Sequence, residues 1–173
     1  MHRRTFAGVL LGLPLGLAGC GWEPLNLTPE AGPAADELRA IHVAPIAERV
    51  GQRLAVGLRE SFNPNGIPTP PRYTLRITLQ IIRLDLGIQI QGLGTRGRVD
   101  IYATFTLTET ATGAVITNGT SHAAESFDIL ANEYSNVVAE EDARNRCVDE
   151  LRRDLLSRLI VVLQNRIADQ GKK

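Results

Sequence analysis

Cysteine is nearly absent from this 173-residue chain: there are two, Cys20 and Cys147. Two cysteines allow one bridge at most, and the setting of Cys20 described below removes that one, so packing must hold the fold. Histidine is as scarce, with His2, His42 and His122. No H-E-x-x-H occurs, and two histidines beyond the N-terminal segment are too few for a zinc site without a carboxylate pattern beside them. No G-x-S-x-G marks a serine nucleophile, and Cys147 falls on an apolar helical stripe where a small buried hydrophobe is the default. An enzyme is not expected, nor a metal or other cofactor. Charge of one sign is also missing: 19 Lys and Arg face 19 Asp and Glu. A nucleic-acid binder would carry a clear basic excess. After the first twenty residues no apolar run is long enough to span a bilayer.

The start of the chain is what most narrows its class. Arg3 and Arg4 give a short basic head, Phe6 to Ala18 is an apolar run of signal-peptide length, and Leu17-Ala18-Gly19-Cys20 closes it. This order resembles a bacterial lipobox, in which Cys20 receives lipid and becomes the mature N-terminus. Residues 1–19 are then a signal peptide. Gly21, not an aspartate, follows the cysteine, which resembles an outer-membrane address. Arg3-Arg4-Thr5-Phe6 also resembles a twin-arginine signal, but nothing downstream suggests a cofactor loaded before export. Loss of Arg3 and Arg4 leaves 17 basic against 19 acidic side chains in about 154 residues, one domain by length.

Residues 20–37, with Pro24, Pro29, Gly32 and Pro33, read as a lipidated tether. Trp22 is its one large apolar residue, suited either to the membrane interface or to the domain surface. Residues 38–173 read as the folded domain. Leu38 to Ile46 suggests a first strand. Val50, Leu54, Leu58 and Phe62 recur every fourth residue, the mark of an amphipathic helix that Asn63-Pro64-Asn65-Gly66 ends. From Tyr73 the period is two, with Tyr73, Leu75, Ile77, Leu79 and Ile81 on one face. At Ile81-Ile82 the phase flips to Leu84, Leu86, Ile88 and Ile90, which predicts a β-bulge or sharp twist near Ile81 to Arg83. Val99, Ile101, Ala103, Phe105 and Leu107 form a third strand, and Val115 to Phe127 a weaker fourth. A long last helix from about Asn136 to Ala168 carries Val148, Leu151, Leu155, Leu159, Val162 or Leu163, and Ile167 at helical spacing. Glu140, Glu141 and Asp142 read as a solvated helix start that complements the dipole. The expectation is an α+β domain of order β-α-β-β-β-α: about four strands, mainly antiparallel, with two helices on one face and a polar face opposite.

Gly92-Leu93-Gly94-Thr95-Arg96-Gly97 matches G-x-G-x-x-G, but a strand follows where a dinucleotide site needs a helix, so it reads as a hairpin turn. Asn26-Leu27-Thr28 and Asn118-Gly119-Thr120 match a glycosylation sequon, without meaning in a bacterial lipoprotein. Arg96 and Arg98 lie in or beside that turn, with Arg83 and Arg72 in the same sheet region. Arginine's planar fork suits phosphate, so Arg96 and Arg98 are candidates for an anionic lipid head group; ordinary solubilising arginines are the alternative.

Three stretches resemble one family. They are Cys20-Gly21-Trp22-Glu23-Pro24-Leu25; Ile41-His42-Val43-Ala44-Pro45-Ile46 followed by Glu48-Arg49-Val50-Gly51-Gln52-Arg53-Leu54; and Tyr134-Ser135 through Ala139-Glu140-Glu141-Asp142-Ala143-Arg144-Asn145-Arg146 into the last helix. Tyr73-Thr74-Leu75 fits as well. In order and spacing these are similar to the lipopolysaccharide-assembly lipoproteins of the LptE family, in its alphaproteobacterial form. The resemblance implies a sheet of about four strands bearing two helices, an outer-membrane location, and lipopolysaccharide as cargo. It also implies a partner, a large outer-membrane β-barrel of the LptD type whose lumen the lipoprotein plugs. Another binding lipoprotein of the periplasm, serving a transport system or a wall synthase, is the alternative function.

Overall fold

The computed structural model describes residues 33–64, 66, 70–88 and 94–170. In chain order these form α1 (Pro33–Arg39), β1 (Ile41–Val43), α2 (Glu48–Phe62), β2 (Tyr73–Ile88), β3 (Gly94–Glu109), β4 (Val115–Asp128) and α3 (Glu133–Gln170). The strands make one mixed sheet of order β1-β2-β3-β4. β1 runs parallel to β2, with α2 as the crossover, and the other two pairings are antiparallel. The expected α+β architecture is present with one helix more than the sequence suggested.

That helix, α1, occupies residues read from sequence as the end of a tether. Pro33 stands at its first position, where a missing N–H costs nothing, and an Asp36–Arg39 pair at 2.9 Å spans its turns. Ala35 and Leu38 are buried. Glu37 then ties α1 to the sheet: the Tyr73 hydroxyl donates to its carboxylate at 2.7 Å and Arg72 pairs with it at 2.9 Å. The first strand is shorter than the Leu38–Ile46 expected, because α1 takes the residues before it.

Sheet and helices meet over alternate strand residues. Ile41 and Val43 on β1, Tyr73, Leu75 and Ile77 on β2, Val99 to Leu107 on β3, and Ala123 and Phe127 on β4 face the helices. Against them lie Val50, Leu54, Ala55, Leu58 and Phe62 of α2. α3 contributes Ala143, Cys147, Leu151, Leu155, Leu159 and Leu163, each four residues after the last and fully buried. Steps of four overshoot the 3.6-residue turn, so this stripe winds slowly around α3. One helix about 57 Å long can therefore pack on β3, β4, α1 and α2 in turn. Its start is set by asparagine: Asn132 Oδ1 accepts from Tyr134 N at 3.0 Å, and the Asn136 amide bonds both N and O of Leu130. No helix among the described residues is long and apolar enough to cross a membrane.

Two sequence expectations give way. The bulge near Ile81 to Arg83 is not there: β2 and β3 keep one register from Tyr73↔Glu109 to Leu86↔Arg96. The ladder's irregularity lies instead between β3 and β4, at Leu107/Thr108. With the register unbroken, the phase flip means that the apolar residues change sides. Arg83 and Asp85 take the helix-facing positions, while Ile82, Leu84 and Leu86 lie on the open face of the sheet. The Glu140-Glu141-Asp142 run is also not at the helix start, since α3 begins seven residues earlier. These carboxylates make ion pairs: Glu140 with Arg83 at 3.0 Å and with Arg144, Glu141 with Arg49 at 4.0 Å, and Asp142 with Arg146.

Helix α2 holds two glycines with opposite roles. A Cβ on Gly51 would lie 2.5 Å from Ile46 Cγ2 and 3.3 Å from its carbonyl carbon, so the loop from β1 passes against bare backbone. A Cβ on Gly57 would meet only the flexible Arg152 side chain, at 2.8 Å from Cδ. Gly51→Ala is therefore expected to destabilise by about 1–3 kcal/mol. Gly57→Ala is expected to gain up to about 1 kcal/mol from helix propensity. Urea unfolding of the two variants reads the sign directly.

Candidate functional site

The open face of the sheet carries the candidate residues. Its β3 row runs Arg96, Arg98, Asp100, Tyr102, Thr104; across β4 these stand opposite Asp128, Ser126, Ala124, His122 and Thr120, and across β2 opposite Leu86, Leu84, Ile82, Gln80 and Thr78. Toward β1 the face is polar, as the alternation predicted. Toward the far end of the β2–β3 hairpin it is amphiphilic: Leu84 and Leu86 are exposed at 43% and 38%, and each is the direct cross-strand neighbour of an arginine.

Arg96 and Arg98 thus share one face, two residues apart, beside exposed leucines. The other two arginines of the suggested cluster do not join them. Arg72 lies at the opposite end of β2 and holds Glu37. Arg83 is on the helix side, pairs with Asp85 at 3.1 Å and Glu140 at 3.0 Å, and places its guanidinium 5.9 Å from the Phe127 ring centre. Arg98 is itself engaged: its Nη2 donates to Asp100 Oδ1 at 2.6 Å. Arg96 is exposed and stands opposite Asp128. The two arginines and the two aspartates beside them balance in charge, so phosphate would be drawn here by the guanidinium forks rather than by a net positive field.

Asp100 was not singled out by sequence, yet it is one of two buried polar residues among the described residues, 3% exposed on a face otherwise open. Arg98 and the His122 Nε2, at 2.9 Å, both meet its Oδ1, and the His122 ring stacks on Tyr102 with centroids 4.3 Å apart. Side chains rather than depth cover it. The hydrogen bond from Arg98 holds its carboxyl below the usual carboxylate range; burial opposes this, and His122 adds to it. Asp100 Oδ2 and Arg98 Nε have no partner among the described residues. Alternation marked Asp100 as outward-facing, which it is; only the register shows that Arg98 and His122 close over it.

The third glycine of the G-x-G-x-x-G stretch has a packing role. A Cβ on Gly97 would lie 2.3 to 2.8 Å from three ring atoms of Phe127, so the ring rests on the glycine itself. Gly97 belongs to β3 and pairs with Asp85 and Phe127, as a hairpin reading requires. Gly92 lies outside the described residues.

The remaining candidates resolve simply. Cys147 is buried, its Sγ is 3.7 Å from the Val99 carbonyl, and burial pushes the thiol up to about 11, far from a nucleophilic thiolate. His42 sits mid-β1 opposite Thr74. No three of His, Cys, Asp and Glu converge as metal ligands among the described residues. Cys20, Trp22 and the signal segment lie outside those residues.

Known proteins share this arrangement. A crystal structure of a protein from Caulobacter crescentus CB15, described as a lipoprotein, superposes with a TM-score of 0.62 at 21% identity, covering 78% of this chain and 98% of that one. A minor lipoprotein from Acinetobacter baumannii superposes at 0.52, also at 21% identity, covering 73% and 90%. At that identity they show the fold. No curated protein matches the sequence. The family described as LptE: Lipopolysaccharide-assembly matches residues 38–160, from the end of α1 to late α3 and thus across the whole sheet. The chain belongs to this family, the lipoproteins of lipopolysaccharide assembly.

Proposed function

We propose that this protein is an outer-membrane lipoprotein, held by lipid on Cys20 to the inner leaflet, that partners and plugs the barrel translocating lipopolysaccharide. The family match over residues 38–160 carries the reading. The surface supports it. A hydrated lumen suits the polar part of the open face, and the exposed leucines beside Arg96 and Arg98 suit a molecule with both phosphate and acyl chains. The chain works by binding, without catalysis and with no cofactor beyond its covalent lipid. Several acyl chains give stable anchoring, and anchoring raises the effective concentration of the domain at its partner.

Two substitutions test the parts. Cys20→Ala behind a signal segment that is cleaved without lipidation, in place of residues 1–19, is expected to move the protein from the membrane pellet to the soluble periplasmic fraction; retention of the cleaved chain in the pellet would contradict anchoring through Cys20. For cargo, Arg96→Ala is the informative change, because Arg98→Ala would also uncover Asp100 and disturb the sheet. Arg96→Ala is expected to weaken binding of purified lipopolysaccharide several-fold, a charge-assisted hydrogen bond being worth about 1.5–3 kcal/mol at most. Unchanged binding would remove Arg96 from the site.

A further inference from the structure

We propose that the outer edge of β2, from Ile81 to Gly87, pairs antiparallel with the same edge of a second copy of this chain, about a two-fold axis at Leu84. The pairing belongs to the chain outside the barrel, since a plug in a one-to-one complex leaves no room for a second copy, and its observations are independent of the role in lipopolysaccharide assembly.

β1 is three residues long and pairs with β2 only at Tyr73–Leu75. β2 continues to Ile88, and among the described residues no strand lies along its outer side beyond Leu75. Such an edge is a template for another strand unless something blunts it. Over Arg76 to Leu86 there is no proline and the register with β3 has no bulge, so the charged side chains, Arg83 and Asp85 among them, are what a second strand would meet. The backbone groups that face outward are identified by the short β1 contact. Tyr73 N donates to Ala40 O, and Leu75 O accepts from Ala44 N. Alternation in the unbroken ladder then places the free groups of Ile77, Leu79, Ile81, Arg83 and Asp85 on the same edge. At Gly87 φ is +75° and the ladder skips a pair, which ends the regular edge.

Self-pairing about Leu84 is the register the side chains favour. It sets Arg83 opposite Asp85 of the second copy, and Asp85 opposite its Arg83. Both residues are exposed, at 44% and 55%. A lone charge on an edge strand repels a second copy, whereas this pair of opposite sign attracts one. On the open face the same register sets Leu84 against Leu84 and Ile82 against Leu86, so the exposed leucines of each copy cover the other's. Moving the axis by one residue puts Arg83 against Arg83 or Asp85 against Asp85. Within one copy Arg83 already meets its own Asp85 at 3.1 Å and Glu140 on α3 at 3.0 Å and faces the Phe127 ring, so pairing exchanges the Asp85 contact within a chain for one between chains while Glu140 and Phe127 keep their share of the guanidinium.

The test uses the full-length acylated chain in detergent. Leu84 lies between the outward-facing residues, so two copies meet there in a non-hydrogen-bonded pair with Cα atoms about 4.5 Å apart, within disulfide reach. Leu84→Cys, oxidised with copper phenanthroline, is expected to give a covalent dimer well ahead of Leu130→Cys, a more exposed leucine at 59% that lies off the edge. Equal rates would overturn the proposal. Asp85→Arg and Arg83→Glu are each expected to weaken dimerisation about tenfold in sedimentation, from two like-charge contacts per dimer. A one-to-one mixture of these two variants restores both opposite-charge contacts, so a heterodimer should form. Circular dichroism verifies that each variant is folded. A folded mixture that stays monomeric, or a wild-type chain monomeric up to about 100 μM, where a standard β-edge interface should associate, would also overturn it.

Discussion

Gly97→Ala is expected to destabilise the domain by about 3 kcal/mol, with a fall in both thermal midpoint and urea midpoint. The new methyl would sit 2.3 Å from the Phe127 ring, inside any tolerable contact. The ring is 95% buried between the sheet and α3 and supports the Arg83 guanidinium on its far side, so it has little room to move. Overpacking of this kind costs about 1–3 kcal/mol, and displacing the ring adds part of the loss seen when a buried aromatic leaves its site. The mechanism has its own control. Phe127→Leu shortens the side chain above Gly97, so the double variant should be more stable than the sum of the two losses predicts. If Gly97→Ala unfolds at the wild-type urea concentration, the ring does not rest on Gly97 and the account of this strand is wrong.

The second large effect centres on Asp100. Asp100→Asn keeps the shape and removes the charge that Arg98 and His122 share. Taking one partner from a fully buried ion pair costs several kcal/mol, but Arg98 and His122 are about 40% exposed and water compensates them in part. The expected loss is about 1–2 kcal/mol at neutral pH. Acid removes the same contribution from the wild-type protein. The folded Asp100 carboxyl lies below its unfolded value, so its stabilisation is present above about pH 4, the ordinary aspartate range, and fades as pH falls through the folded value. Stability curves of wild type and Asp100→Asn should therefore converge below about pH 4. A gap that stays constant down to pH 2 would mean that the charge of Asp100 does nothing for the fold.

Much of the architecture is legible in the chain. The fourfold spacing in α2, the alternation in β2 and β3, and the leucine stripe of α3 each demand one element type, because only one period lets those residues share a face. What escaped reading has physical reasons. α1 hid behind Pro33 and Gly32, which look like linker residues, although proline at a first helical position is also how a helix begins. The phase flip at Ile81-Ile82 has two solutions, an inserted residue or a change of apolar face, and a single strand cannot distinguish them; the β2–β3 register does. The arginines looked like one cluster because sequence proximity and hairpin symmetry bring Arg83 near Arg96 and Arg98. Parity sends Arg83 to the helix side, and Arg72 lies at the other end of the strand. Asp100 could not be recognised as buried, because burial on the open face depends on Arg98, from the same strand, and His122, from the next one, folding over it.

The resulting picture is of a sheet with a packed side and an open side. α2 and α3 hold the first. The second passes from Thr, Gln and His side chains to leucines flanked by arginines. Family membership gives that face its context, and lipid on Cys20 would bring it to the membrane where the cargo is assembled.

The most direct measurement is affinity purification of the tagged, acylated full-length protein from outer membranes, with identification of what remains bound. A large β-barrel recovered in one-to-one amount is the predicted result. Recovery of transport-system or wall-synthesis proteins with no barrel would contradict the account.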